Sequence, residues 1–265
     1  MPLYLEPALW SLAAAWLYVT LVWLLSLRLK DSGIMDIFWG PGFVLAVGLA
    51  AWLQPGVEAR IWLVLVPLGV WAMRLAAHIG RRNLGEPEDA RYNKWRRESG
   101  AKWWWWSYFK VFLLQGGILW TVSLPLQAAV TWQMPTVLTG LDLVGALIFV
   151  TGLGIEAVAD RQLASFKSDP ERSGVLDTGL WRYSRHPNYF GECVIWLGVA
   201  FWSINLPGGW MLLFAPALMI WLVIRVSGVA MLDRHLESSK PGYADYMART
   251  SAFIPMPPRS KTGRD

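Results

Sequence analysis

An all-α membrane protein with seven spanning helices is the fold class this sequence predicts, and three observations carry that reading. Of its 265 residues, 55% are apolar and 19 are Trp, and the mean hydropathy is +0.35, well above that of a soluble domain. Arg and Lys gather in a few connections and are missing from others, which is how positive-inside topology is written. No apolar run shows the period-two alternation of a half-buried strand.

A span needs roughly 20 mostly apolar residues, and such runs lie at about 8–27, 35–53, 61–79, 108–130, 139–159, 189–206 and 210–230. The first run has neither a basic leader nor a small-residue cleavage site, so it is expected to stay as a helix. The connections at about 28–34, 80–107 and 160–188 and the tail from Asp233 hold nearly all the basic residues, whereas those at about 131–138 and 205–209 hold none. The N-terminus is therefore expected in the periplasm and the C-terminus in the cytoplasm. The stretch Asn205–Gly209 has the Pro and Gly of a tight turn between the last two spans. Trp103–Trp106 reads as an interfacial belt.

No linker or repeat divides the chain, so a single domain over 1–265 is expected. The net charge of +5 is explained by the cytoplasmic loops, which removes the reason to invoke nucleic acid. Cys193 is the single cysteine, so no intrachain disulfide forms. The three His residues, 78, 186 and 235, lack metal-ligand spacing, and neither a nucleotide-binding Gly-rich turn after a strand nor a GxSxG elbow is present.

Ionisable groups inside a span cost about 2.5–3.5 kcal/mol each at a helix centre, so those present ask for a function. Asp36 stands at the start of the second span, just before the Gly-Pro-Gly of residues 40–42. Arg74 and His78 lie one turn apart in the third. Gln115 is a buried amide in the fourth, of the kind that joins helices. Between Arg81 and Lys102 come seven basic and four acidic residues. Arg91 with Tyr92 in that loop is a pair able to hold a phosphate and stack on a flat base. Glu156, Asp160 and Lys167 share one face of the fifth span if the helix runs on past the membrane boundary.

The stretch Gly179–Glu192 carries most of the chemistry. Pro187 suits the first turn of a helix, which puts Asn188 and Glu192 one turn apart on one face. Arg182, Arg185 and His186 precede that helix start, a place that favours anions. Farther on, Tyr243, Tyr246 and Arg249 recur at a spacing that lines them along one side of a short C-terminal helix.

Gly179–Glu192, followed by Tyr243–Pro255, resembles the steroid 5α-reductase family, and the whole chain is similar to its bacterial inner-membrane homologues. The likeness is strongest over about 151–258. It implies a seven-helix fold, NADPH as cofactor, and hydride transfer to a carbon–carbon double bond conjugated to a ketone, as in 3-oxo-Δ4-steroids. It implies that Asn188 and Glu192 hold the reactive end of the cofactor, and that Asp160, Lys167 and Tyr246 stand at family positions. With Arg91, Tyr92, Arg172, Arg182, Tyr183, Arg185, His186, His235 and Arg249, these make up the expected cofactor site. Glu156 departs from the family, which has Asn there.

The steroid enzymes use a Gln-Glu pair and a Tyr near the ketone. Asp36 lies near the former and is the expected catalytic residue, and Trp71 stands where the Tyr would be. Trp39, Trp71 and Gln115 are expected to line the substrate, a small steroid-like or isoprenoid enone reached from the bilayer by a monomer. A second family shares the Arg-His-Pro-x-Tyr-x-Gly-Glu pattern: S-adenosylmethionine-dependent membrane methyltransferases of the isoprenylcysteine and phospholipid type. They carry a Glu-Glu pair after the last span where this chain has Asp233-Arg-His-Leu236.

Overall fold

A computed structural model describes residues 5–83, 85–169, 174–226, 233, 236–237 and 240–259. Among them the chain is helical, and its single β-like feature is an isolated bridge between Ser184 and Ser251. The elements are α1 (Leu5–Leu29), α2 (Ile34–Leu53), α3 (Glu58–Asn83), α4 (Ala90–Ser99), α5 (Trp103–Ser107), α6 (Leu114–Thr131), α7 (Gly140–Ser168), α8 (Pro187–Ile204), α9 (Phe214–Trp221) and α10 (Tyr243–Arg249). A π turn, Tyr108–Leu113, joins α5 to α6.

Five helical segments are long and apolar enough to cross a membrane: α1, α2, α3, the run Ala90–Thr131 and α7. The chain is thus a multi-pass membrane protein by length and composition. Neither of the two last expected spans is among them. In α8 the polar groups Asn188 and Glu192 dilute 18 residues, and the apolar helix Gly209–Arg225 belongs to the expected span 210–230, whose end lies outside the described residues.

The chain divides into two compact units, Met1–Ala146 with Ala200–Ala215, and Leu147–Val199 with Pro216–Asp265. In the first unit α2 is central and packs on α1, α3 and α6. Glycines permit this closeness: a Cβ on Gly40 would stand 2.9 Å from the backbone of Ala72 on α3. Beside it Val19, Val22, Ile34, Met35, Tyr92, Trp103, Val111 and Phe112 form a buried cluster that fixes the start of α2 against α4.

At the other end of that unit lies an ion pair of two fully buried groups. Arg60 Nε donates to Asp142 Oδ1 at 3.0 Å, and its Nη2 donates to the carbonyls of Pro135 and Val137 at 2.8 and 3.2 Å. Asp142 in turn accepts from the Thr139 amide at 2.8 Å. Each charge is surrounded by partners, the condition under which burying it is tolerable.

In the second unit α7 and α8 cross with their backbones in contact. A Cβ on Gly152 would lie 2.6 Å from the Gly191 carbonyl oxygen and the Ile195 nitrogen, and one on Gly191 would lie 2.7 Å from the Glu156 nitrogen and the Gly152 oxygen. The Gly before Glu192 is therefore a packing requirement.

Candidate functional site

The first polar centre begins at a turn. Glu88 accepts from the Ser32 amide at 2.8 Å and from Arg96 Nε at 2.7 Å, and Arg96 also donates to the Lys30 carbonyl at 3.1 Å. Burial pushes Glu88 up, but the hydrogen bonds from Arg96 and Ser32 outweigh it, so its carboxyl stays below its ordinary value. Next to it Asp89 caps α4, accepting from the Arg91 amide at 2.9 Å. The clamp and the cap together set Tyr92, on the first turn of α4, over Asp36, on the first turn of α2.

Tyr92 donates its hydroxyl to Asp36 Oδ1 at 2.8 Å and accepts from Gln115 Nε2 at 3.2 Å. Arg91 donates to Asp36 Oδ2 at 3.2 Å while also held by Asp89 at 3.0 Å. The expected catalytic residue, one expected substrate residue and two expected cofactor residues thus form one hydrogen-bonded chain. Tyr92 is buried, with 4% of its surface exposed, so it has no face on which a base could stack. Arg91 remains exposed and is shared by two carboxylates.

Asp36, Trp39 and Phe43 follow one face of α2. The rings of Trp39 and Phe43 meet edge-on at 5.6 Å, and Phe43 meets Trp71 at 5.5 Å. Trp71 is 1% exposed, which makes it the backing of this aromatic wall. Trp39, only partly buried, is the ring a flat molecule could touch.

The second polar centre is built where α7 and α8 touch. Asn188 Nδ2 donates to Asp160 Oδ1 at 3.1 Å, and Trp196 Nε1 donates to Glu192 Oε1 at 2.8 Å. Glu156, Asp160 and Glu192 are all buried, and Gly191 brings Glu156 against α8. The continuity of α7 through Ser168 keeps Glu156, Asp160 and the exposed Lys167 on one face, as the spacing predicted. Carboxylates and a carboxamide in this arrangement suit hydroxyl and amide donors rather than phosphate.

The segment before α8 is held from both sides. Trp181 donates to the Ala159 carbonyl at 3.1 Å, and the Leu180 amide donates to Gln162 at 3.0 Å. Tyr246 donates to the Trp181 carbonyl at 2.5 Å, Ser184 Oγ to the Phe253 carbonyl at 2.7 Å and the Arg185 amide to the Ser251 carbonyl at 2.9 Å. The α10 helix forms over the expected residues, but it directs Tyr246, 2% exposed, inward as a brace.

Arg185 and His186 were expected at a phosphate and are engaged otherwise. Arg185 donates to Asp233 Oδ2 at 2.8 Å and to the last carbonyls of α10, those of Met247 and Thr250, at 3.1 and 2.9 Å. His186 Nε2 and Tyr243 Oη meet Asp233 Oδ1 at 2.9 and 2.7 Å. Burial works against the charge on Asp233, but bonds from His186, Arg185 and Tyr243 overcome it and hold the carboxyl well below the usual range. Tyr183, Arg182 and Arg249 stay nearer solvent, with Arg249 donating to Asp177 at 2.5 Å. Arg172 and His235 lie outside the described residues.

Sequence reasoning passed over Arg60, Asp142, Trp196 and Asp177. A signal was present for the first two, lone charges of opposite sign at the starts of two long apolar runs.

A family model described as "Protein of unknown function (DUF1295)" matches residues 22–250. The steroid 5-alpha-reductase DET2 of Arabidopsis thaliana is 38% identical over 63 residues, which are 23% of this chain and 24% of that protein. The cobalt-zinc-cadmium resistance protein CzcN of Cupriavidus metallidurans is 31% identical over 125 residues, 47% of this chain and 52% of that protein. The chain thus spans about a quarter and about half the length of these curated relatives. No solved structure matches. With residues 22–250 covered, the chain belongs to the DUF1295 family, within the steroid 5-alpha-reductase-like superfamily.

Proposed function

We propose that this protein is a membrane-embedded reductase that uses NADPH to reduce the carbon–carbon double bond of an apolar enone, such as a 3-oxo-Δ4-steroid or an isoprenoid enone. The observation that carries the reading is the chain Asp36–Tyr92–Gln115 beside the partly buried Trp39. The likeness to a steroid 5-alpha-reductase supports it.

When bound, NADPH supplies the hydride that adds to the β-carbon of the enone. Asn188, Asp160 and Glu192 would hold the nicotinamide riboside end, whose hydroxyl and amide groups their oxygens and carboxamide match. Lys167 and Arg182 would meet its phosphates. The remaining task is to take up the negative charge that builds on the ketone oxygen. Tyr92 does this by turning its hydroxyl from Asp36 to that oxygen, while Asp36, holding a proton, donates to the phenol oxygen in turn. Gln115 keeps the phenol oxygen in register from its other side. The α-carbon then takes a proton from solvent, so that enone, hydride and proton balance as the saturated ketone.

Removing one such donor costs about 10²–10³ in turnover. Tyr92→Phe and Asp36→Ala are each expected to lose that much with purified protein and a panel of steroid and isoprenoid enones. The rise in melting temperature on adding NADPH should stay near the wild-type value. Wild-type rates in both variants would remove the dyad from the mechanism. Protection by S-adenosylmethionine and not by NADPH would replace reduction by methyl transfer.

A further inference from the structure

In the first unit a groove of about 630 Å³ runs between α1 and α6 and is used by neither polar centre. It is lined by Leu9, Leu12, Trp16, Phe109, Leu113 and Gly117 among others, all exposed on segments long and apolar enough to cross a membrane. Two neighbouring glycines shape it. A Cβ on Gly116 would lie 2.9 Å from Val19 Cγ1, so α6 comes up against α1 there. A Cβ on Gly117 would meet nothing within 4 Å, so the space beside it stays open.

The polar groups at one end of the groove are spent on each other. Trp16 Nε1 donates to Tyr108 Oη, and Thr20 Oγ1 donates to the Trp16 carbonyl at 2.8 Å. That leaves the Tyr108 hydroxyl to donate to Thr20 Oγ1 at 3.1 Å. No donor remains for a ketone or a headgroup, so the groove fits hydrocarbon. From Leu9 to Val19 the helix α1 rises about 15 Å, half of a hydrocarbon core of about 30 Å and thus the depth of one leaflet.

Beyond the Tyr108 end stands an aromatic collar of the kind that marks the headgroup level. Trp23 packs on Tyr108 with ring centres 4.9 Å apart and donates to the Trp104 carbonyl at 3.0 Å. Basic groups follow on both sides of that contact, Arg28 in the last turn of α1 and Lys102 just before α5. Both are exposed, and neither has a side-chain partner among the described residues. The carboxylates nearest in sequence are occupied, Asp31 by the Gly33 amide at 2.7 Å and Glu98 by Lys94 at 3.9 Å.

We propose that the groove binds one acyl chain of an anionic phospholipid whose phosphate rests against Arg28 and Lys102. Dry groove, aromatic collar and unpaired cations follow one another in the order in which a phospholipid presents its tail, glycerol and headgroup. The site stands apart from the reductase reading, because it uses neither Asp36, Tyr92 and Gln115 nor the centre around Asn188.

The test titrates the full chain, purified in detergent and stripped of lipid, with dioleoyl phosphatidylglycerol and with dioleoyl phosphatidylcholine. Native mass spectrometry counts bound lipid, and melting temperature is read in parallel. Wild type is expected to take one phosphatidylglycerol ahead of all others and to melt higher with it. Gly117→Leu fills the groove from a helix position where a Cβ meets nothing, so lipid-free melting should match or exceed wild type while the tight lipid is lost. Arg28→Gln combined with Lys102→Gln should keep chain binding and lose the preference for phosphatidylglycerol, about fivefold for each basic group. An unchanged tight lipid in Gly117→Leu, or equal binding of the two lipids by wild type, overturns the assignment. Release of the phospholipid by an equal concentration of a 3-oxo-Δ4-steroid gives the groove to that ligand and likewise overturns it.

Discussion

Replacing Gly191 by Ala puts a methyl group where α8 meets α7. That carbon would lie 2.7 Å from the Glu156 nitrogen and the Gly152 oxygen, where ordinary contact begins at 3.4 Å. Both obstacles are helix backbone, so the helices must part by about 0.7 Å, and overpacking of that size costs about 1–3 kcal/mol. The better helix propensity of Ala returns at most about 1 kcal/mol. The larger effect is geometric, because Asn188 and Glu192 move with α8 while Glu156 and Asp160 stay on α7. A displacement approaching 1 Å in a positioning group costs up to about 10²-fold in turnover. The assay pairs melting temperature in detergent with NADPH protection and enone turnover. Gly154 is the built-in control, two residues from Gly152 on the same helix, where an added Cβ meets nothing within 4 Å. Gly154→Ala should be neutral or slightly stabilising and fully active, and Gly191→Ala and Gly152→Ala should lose several degrees and most of their activity. If Gly191→Ala behaved like Gly154→Ala in both measurements, the close crossing would not be what builds the second polar centre.

Truncating either member of the buried Arg60–Asp142 pair, as in Arg60→Ala or Asp142→Ala, should cost about 3–5 kcal/mol because the partner is left charged and buried. Arg60→Met with Asp142→Leu should recover most of it in thermal melts; equal loss in the single and double variants would show that the charge is not the cause. Asp233 makes stability depend on acid. Its folded pKa is depressed by His186, Arg185 and Tyr243, so its contribution is complete above the unfolded value of about 3.9 and drains away as pH falls through the lower folded one. Melting curves taken from neutral pH down to about pH 3 should fall more steeply for wild type than for Asp233→Asn, and parallel curves would refute that linkage.

Local spacing made much of the second polar centre readable. Asn188 and Glu192 sit one turn apart behind Pro187, and Glu156, Asp160 and Lys167 follow the period of one unbroken helix, so each set needed only its own element to be read. Groups that join distant elements were not readable in the same way. Tyr92 and Asp36 are 56 residues apart, Arg60 and Asp142 are 82. Periodicity orients each side chain on its helix and leaves open which other helix it meets. Arg185 and His186 show the opposite error. Their charge at a helix start argued for an anionic ligand, yet the anion they meet is Asp233, 48 and 47 residues on.

The stitching of Ser184 and Arg185 to Ser251, Phe253 and the end of α10 has a consequence for biosynthesis. Those partners are translated some sixty residues after the loop they hold. When α8 leaves the ribosome, the residues just ahead of it have no tail to bind. The brace closes only when α10 and the strand-like stretch after it have emerged. Emergence of α8 and closure of the brace are therefore separate events in time, and a nascent chain arrested before Tyr243 would carry the loop without its ties.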